Sequence, residues 1–309
     1  MKYKFPFRRR AITAIVASVF ILGACGGVGS ETADFGPADS APPSAQQSLK
    51  IVSLSPTATE MLYAIGAGDQ VVAVDSLSTY PAEVAPKVTK ISAYEPSAEA
   101  ILGYEPDVVL ISNDMNNIVE QLTSADPDIQ VWTGAAAASL DDVYAQINQL
   151  GALTGRVDSA EEVVSSMKER IDEAIPKSGW GIVYPVYYEL DNTFYSVTSN
   201  TFVGSLLSEL GMKSIADGAE EGNDYPQLNA EAIVKANPVI IFLADTKCCQ
   251  QTAATVAARA GWSGITAVVK GNVIELDDDI ASRWGPRIVD LIEQFAEAYS
   301  SAMEKAAGK

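Results

Sequence analysis

The chain has 309 residues, of which 48% are hydrophobic and 20% charged, enough to bury a full core in one large domain or two smaller lobes. Asp and Glu outnumber Lys and Arg by 40 to 21, and a surface this acidic repels phosphate backbones, which argues against nucleic acid as a partner. Histidine is absent, which excludes Ser-His-Asp and Cys-His catalysis and His-ligated zinc or manganese, and leaves an enzyme only carboxylates or a Ser-Lys pair.

At the start of the chain Lys2, Lys4, Arg8, Arg9 and Arg10 precede the apolar run Ala11 to Leu22, which ends in Leu22-Gly23-Ala24-Cys25. A basic region, a hydrophobic region and a small-residue cleavage site in that order read as an export signal over residues 1–24. The apolar run is about 12 residues long, short of the ~20 a membrane-spanning helix needs. Cys25, directly after Leu-Gly-Ala, looks like a lipobox, in which the cysteine becomes the new N-terminus and carries acyl chains. Each buried methylene of such a chain adds ~0.8 kcal/mol of anchoring. The segment that completes residues 25–48 is almost wholly Gly, Ser, Ala, Pro, Asp, Glu and Gln; it buries too little to fold and reads as a flexible tether. The expected location is the cell membrane, lipid-anchored on its extracytoplasmic face. Without the signal the chain keeps 16 basic residues against 40 acidic ones, a net charge of −24.

From Leu49 short β-branched runs alternate with helical segments. Ile51 to Leu54 reads as a strand, and Ser55 caps a helix that has Pro56 at its first position and runs to Gly66. Val71 to Val74 is a second strand and Val88 to Ser92 a further candidate. A helix over Ser97 to Leu102, the strand Asp107 to Ser112, a helix around Asn116 to Ser124 and the strand Ile129 to Trp132 follow. Such alternation implies parallel pairing with both sheet faces covered.

Between Leu140 and Ile175 the pattern is helical, with Val163, Met167, Ile171 and Ile175 at three- and four-residue spacing and a break at Gly151 and Gly155. The second helix, ended by Pro176, reads as a connector. Alternation then resumes with the strand Ile182 to Leu190, helices at Thr201 to Leu210 and Ala230 to Ala236, the strands Val239 to Leu243 and Val273 to Leu276, and a terminal helix from Pro286 to Lys305. The halves share a pattern: Glu99-Ala100-Ile101, Pro106 and Val108 to Ile111 recur as Glu231-Ala232-Ile233, Pro238 and Ile240 to Leu243, at an offset of 132 residues. The expected fold class is α/β: two Rossmann-like lobes, residues 49–156 and 177–309, joined by one long rigid helix over 157–176, with a ligand cleft between the lobes.

Ile51-Val52-Ser53-Leu54-Ser55-Pro56-Thr57-Ala58-Thr59-Glu60, Tyr80-Pro81, Glu99 with Pro106-Asp107, Tyr225-Pro226-Gln227, Glu231 and Gly285-Pro286-Arg287-Ile288 stand in order along the chain. Together they resemble the iron and cobalamin periplasmic-binding family, above all its cobalamin-binding members, from Leu49 to Tyr299. The resemblance implies lobes bridged by a single rigid helix and a ligand held between the carboxyl ends of the strands, as is general for open α/β sheets. It implies ligand contacts from Tyr80, Tyr195, Tyr225, Asp279 and Arg283, with Trp284 beside them and Tyr94 as the aromatic on the first-lobe side. Where cobalamin binders carry tryptophans on the first-lobe side, this chain has Ala93 with Tyr94 next to it, and Ser112, so a flat macrocycle loses stacking area there. On physical grounds Ser55 and Thr57 serve as helix caps before ligand contacts, and Arg287 pairs within the fold.

In the same family a matching glutamate pair engages arginines of a dimeric permease, which assigns Glu99 and Glu231 to docking. The expected function is capture of a corrinoid such as cobalamin by a monomeric binding lipoprotein and its delivery to an ABC importer. A ferric siderophore or haem is the alternative ligand, and a lipoprotein sensor or an enzyme a more distant reading; no resident cofactor or metal is expected. Cys248 and Cys249 are adjacent in a chain that reads as exported, which suggests a vicinal disulfide; free thiols that bind a soft metal, or intermolecular pairing, are the alternatives.

Overall fold

The computed structural model describes residues 48–175 and 181–307; the export signal, Cys25 and nearly all of the tether lie outside the described residues. The first lobe comprises β1 (Ile51–Ser53), α1 (Pro56–Ala64), β2 (Val71–Val74), α2 (Ala98–Leu102), β3 (Val108–Ile111), α3 (Ile118–Ala125), β4 (Gln130–Thr133) and α4 (Leu140–Thr154). Helix α5 (Val157–Ala174) leads to the second lobe: β5 (Tyr184–Glu189), α6 (Phe202–Glu209), β6 (Met212–Ser214), α7 (Ala230–Ala236), β7 (Ile240–Leu243), α8 (Ala253–Ala257), α9 (Thr266–Lys270), β8 (Val273–Glu275), α10 (Asp278–Ala281) and α11 (Ile288–Ala306). Both sheets are parallel, with the strand orders β2-β1-β3-β4 and β6-β5-β7-β8. The repeat seen in the sequence is therefore a repeat of topology. No helix among the described residues is long and apolar enough to cross a membrane.

Successive strand residues point to opposite faces, and here both faces are dry. Ile51, Val108, Leu110, Val186, Ile240 and Phe242 join one cluster together with Met167 and Ile171 of α5 and Leu291, Ile292 and Phe295 of α11. Their alternates face outward under each lobe's own helices: Val52, Val109 and Ile111 against Ile101, Ile118 and Leu122, and Tyr187, Ile241 and Leu243 against Ile233, Val256 and Trp262. The two sheets thus share a central core, built from α5, α11 and the inner strand faces. At about 1.5–3 kcal/mol per buried large apolar side chain, this core resists any opening that would wet it.

Polar contacts reinforce the same seam. The side chain of Glu60 on α1 is 2% exposed and receives two arginines from the turn before α11. Arg283 Nη1 donates to Glu60 Oε1 at 2.8 Å, Arg287 Nε donates to Oε2 at 2.9 Å, and Arg287 Nη2 also donates to Oε1. Arg283 Nη2 reaches the Leu77 carbonyl at 3.1 Å, and Trp284 Nε1 donates to Gln146 Oε1 of α4 at 3.0 Å. Between them Gly285 passes so close that a Cβ there would lie 3.2 Å from Glu60 Oε2. Arg170 of α5 clamps Asp290 and Glu293 of α11 at 2.7 Å each.

Two sequence expectations change. Val88 to Ser92 forms no strand, only a single bridge from Val88 to Val74. Local side-chain bonds take over there: Thr89 Oγ1 accepts from Ile91 N, and Ser92 Oγ accepts from Tyr94 N and Glu95 N. β6, α8, α9 and α10 are new, each too short to show a period in the sequence.

Glu60→Ala would strand two nearly buried guanidinium groups, a class of change that costs about 3–5 kcal/mol. Urea unfolding should show that loss; a change below about 1 kcal/mol, the range of an exposed pair, would mean that the cluster does not hold the lobes.

Candidate functional site

The turns that follow the strands build the site. In the first lobe Leu54, Pro56 and Thr57 follow β1, Asp75 and Leu77 follow β2, and Ser112, Asn113 and Met115 follow β3; all line one cavity of about 470 Å³. Ser55 caps α1 by accepting from Ala58 N at 3.2 Å and receives the Ser112 hydroxyl at 2.8 Å, as the sequence suggested, whereas Thr57, expected as a second cap, lies inside α1 and lines the cavity. The opposite wall is Asp279, Ser282, Arg283 and Trp284 of the second lobe, and Tyr94 stands at the rim. Four of the seven sequence-assigned ligand residues, Tyr94, Asp279, Arg283 and Trp284, therefore meet in one space.

A second cavity of about 240 Å³ continues into the other lobe, lined by Tyr188, Leu190, Val197, Phe202 and the exposed Tyr225. It shares Ser282, Arg283 and Trp284 with the first, so these three residues form the partition of a single cleft. Tyr195 lies beyond β5, bridged to Gln227 of the Tyr225 loop, and lines neither cavity. Tyr80 is placed differently from the sequence assignment: it lines a cavity of about 670 Å³ beside α1 with Tyr63, Lys87, Arg156 and Arg287. There its ring lies 3.8 Å beneath the Arg287 guanidinium, so its π face is already used.

Arg283 is the only cation lining either cleft cavity among the described residues, and its charge is spent on Glu60 and on Asp279, whose Oδ1 is 2.7 Å from Nη2. Asp279 also holds Lys247 Nζ at 2.8 Å. The cleft is thus an aromatic and polar space that carries the carboxyls of Asp75 and Asp279 and no unpaired positive charge among the described residues. Asp75 escaped the sequence reading. It is fully buried, accepts from Ser78 Oγ at 2.5 Å, and leaves Oδ2 without a partner; burial pushes its carboxyl above the usual carboxylate range. No motif marks it, because a lone aspartate after a strand has many possible roles.

Glu99 and Glu231 occupy the same position in the two halves, second in α2 and second in α7. Both are exposed, behind N-caps Ser97 and Asn229 that accept from Ala100 N and Ala232 N. At Cys248 and Cys249 the structure has two free thiols with the sulfurs 2.8 Å apart, where the sequence suggested a vicinal disulfide.

Residues 51–280 match the model of a family described as periplasmic binding protein. The chain belongs to that family. This periplasmic binding protein is 33% identical to the uncharacterized ABC transporter substrate-binding lipoprotein YvrC of Bacillus subtilis (strain 168), over 81% of this chain and 79% of the relative. It is 31% identical to a cobalamin-binding protein of Halobacterium salinarum, over 81% of this chain and 69% of that one. Among solved structures it superposes on a possible iron-binding (periplasmic solute-binding) protein of Staphylococcus epidermidis with a TM-score of 0.68 and 26% identity, covering 82% of this chain and 99% of the other.

Beneath the second-lobe wall of this binding protein lies a buried carboxyl pair. Arg259 binds both oxygens of the fully buried Glu189, at 2.6 and 2.5 Å, and its guanidinium lies 4.6 Å over the Trp262 ring. Asp245 is equally buried and accepts no hydrogen bond from a donor; its carboxyl faces that of Glu189 and, when protonated, donates to it. Burial first, and the Glu189 charge second, push the Asp245 carboxyl up to about 7; Arg259 opposes this and Asp278 adds to it. A carboxyl raised by the fold favours the folded state while protonated. That contribution is complete below the ordinary value of ~3.9 and is lost as pH rises through about 7. The thermal midpoint should therefore fall as pH rises from about 4 to about 7 and level off above that, and Asp245→Asn should remove the part of the fall due to Asp245 and raise the midpoint at pH 8. Parallel melting profiles for the two proteins would show that Asp245 is already ionised in the fold.

Proposed function

We propose that this periplasmic binding protein is the solute-binding component of an ABC importer and that its cleft takes a corrinoid. The observation that carries the ligand class is the absence of an unpaired cation among the described residues lining the cleft, since Arg283 is held by Glu60 and Asp279. Anionic ligands, including haem with its two carboxylates, are normally met by free Arg or Lys. A corrinoid instead offers a broad ring for Tyr94, Tyr225 and Trp284 and a fringe of neutral amides, which suit the Ser112 and Asn113 side of the cleft and need no free cation. The relative named cobalamin-binding supports the same ligand. The relative named a lipoprotein supports acylation at Cys25 and an extracytoplasmic location. A ferric ligand is the second reading, favoured by the likeness to a possible iron-binding protein.

Calorimetry of the chain from Ser48 onward with cobalamin and cobinamide should give saturable one-to-one binding. No heat with either corrinoid, together with saturable binding of a ferric siderophore, would transfer the assignment to the second reading.

Delivery is assigned to Glu99 and Glu231, one on each lobe, as a two-point dock for a permease dimer. Both side chains are exposed at helix starts, where losing a carboxylate costs about 0.3–1 kcal/mol each. Losing one partner of an interfacial charge pair costs ~2–5 kcal/mol, a tens- to thousands-fold loss of complex. Each alanine variant should take up ligand partially and the double variant almost none, with ligand affinity unchanged. Wild-type uptake by the double variant at equal surface abundance would reduce the pair to helix-start residues.

A further inference from the structure

The loop after β7 carries a group that neither the cleft nor the docking faces use. Cys248 is exposed, Cys249 half-buried, and their sulfurs lie 2.8 Å apart as free thiols. The loop is fixed by its backbone. Asp278 accepts from Thr246 Oγ1 at 2.7 Å, from Lys247 N at 3.0 Å and from Cys248 N at 2.9 Å, while Cys249 N donates to the Asp245 carbonyl at 3.2 Å. Lys247 is tied through Nζ to Asp277 and Asp279 at 2.7 and 2.8 Å. Two sulfur donors are thus held side by side at the surface before any ligand arrives, which lowers the cost of binding them together.

The donor set narrows the ligand. Among the described residues no group of three or more Cys, Asp, Glu or His is placed to hold a metal ion, so a four-coordinate zinc has too few protein ligands. The pair meets a ligand as two S–H groups, beside the Asp278 carboxylate that accepts from Cys248 N at 2.9 Å. Cationic soft metals need thiolates and must displace those protons into solution.

We propose that Cys248 and Cys249 form a bidentate site for a trivalent metalloid that bears hydroxyl groups, of the arsenite or antimonite type. Such a centre takes protonated thiols directly. Two S–H and two metalloid–oxygen bonds break, two metalloid–sulfur bonds form, and each thiol proton leaves with a hydroxyl as water. The metalloid stays trivalent and nothing is oxidised or reduced. The site stands apart from the cleft ligand and does not depend on its identity.

The chain has three cysteines, so the full chain carrying Cys25→Ser leaves only this pair to react. Phenylarsine oxide is the probe, read by intact mass and by thiol titration. One phenylarsenic group should be retained per chain with both thiols lost, and the adduct should be reversed by a small dithiol but not by a monothiol at the same concentration. Cys248→Ser and Cys249→Ser should each weaken binding at least ~100-fold, because the second bond is no longer intramolecular. Two titratable thiols without retained arsenical, single variants that bind as tightly as the parent, or a purified chain with no titratable thiol would each overturn the site.

Discussion

The architecture turns on one carboxylate. Glu60 enters the seam between the lobes on α1 and meets Arg283 and Arg287 from the turn before α11, with all three side chains nearly buried. Charges taken this far out of water are tolerated only when they are matched and hydrogen-bonded, so the positions of α1, the Leu77 turn and the start of α11 are mutually constrained. The shared apolar core acts in the same direction, and Arg170 ties α5 to α11 on its margin. A binding protein held this way opens and closes by small amounts, because larger motion would break the ion cluster and wet the core together.

The same cluster decides the chemistry of the cleft. Arg283 lines both cleft cavities, yet its guanidinium is saturated by Glu60, Asp279 and the Leu77 carbonyl. What remains for a ligand is aromatic surface from Tyr94, Tyr225 and Trp284 and neutral polar groups of the strand-end turns, with the partnerless oxygen of Asp75 behind them. A residue used for cohesion is thereby removed from ligand selection by charge, which leaves shape, stacking and hydrogen bonding to discriminate.

The repeated topology explains the remaining geometry. Two sheets with the same strand order place the strand-end turns of both halves around one cleft, and place Glu99 and Glu231 at equivalent helix starts. The exposed carboxylate pair follows this repeat, whereas the interior is not symmetric. The second lobe alone holds the Glu189, Asp245 and Arg259 cluster, in which Arg259 is bound to Glu189 and burial beside that carboxylate pushes the Asp245 carboxyl up to about 7.

Much of this was legible in the residues themselves. Continuous apolar runs at Ile51, Val108 and Ile240 specify parallel strands buried on both faces, Ser55-Pro56 and Ser97 specify helix starts, and the 132-residue offset specifies two lobes of one design. These are local signals, carried by periodicity and capping over a few residues. Tertiary structure alone decided which groups spend their charge on one another. Glu60 and Arg283 are 223 positions apart, and nothing near either reveals the pair. Tyr80 was assigned to the ligand by the resemblance, but the ring lies under Arg287 because that arginine is drawn to Glu60. The thiols of Cys248 and Cys249 are adjacent in any fold, yet their setting among Asp245 and Asp278 depends on where α10 packs. Pairing across lobes is set by the summed packing of the whole core, so it has no counterpart in any short stretch of sequence.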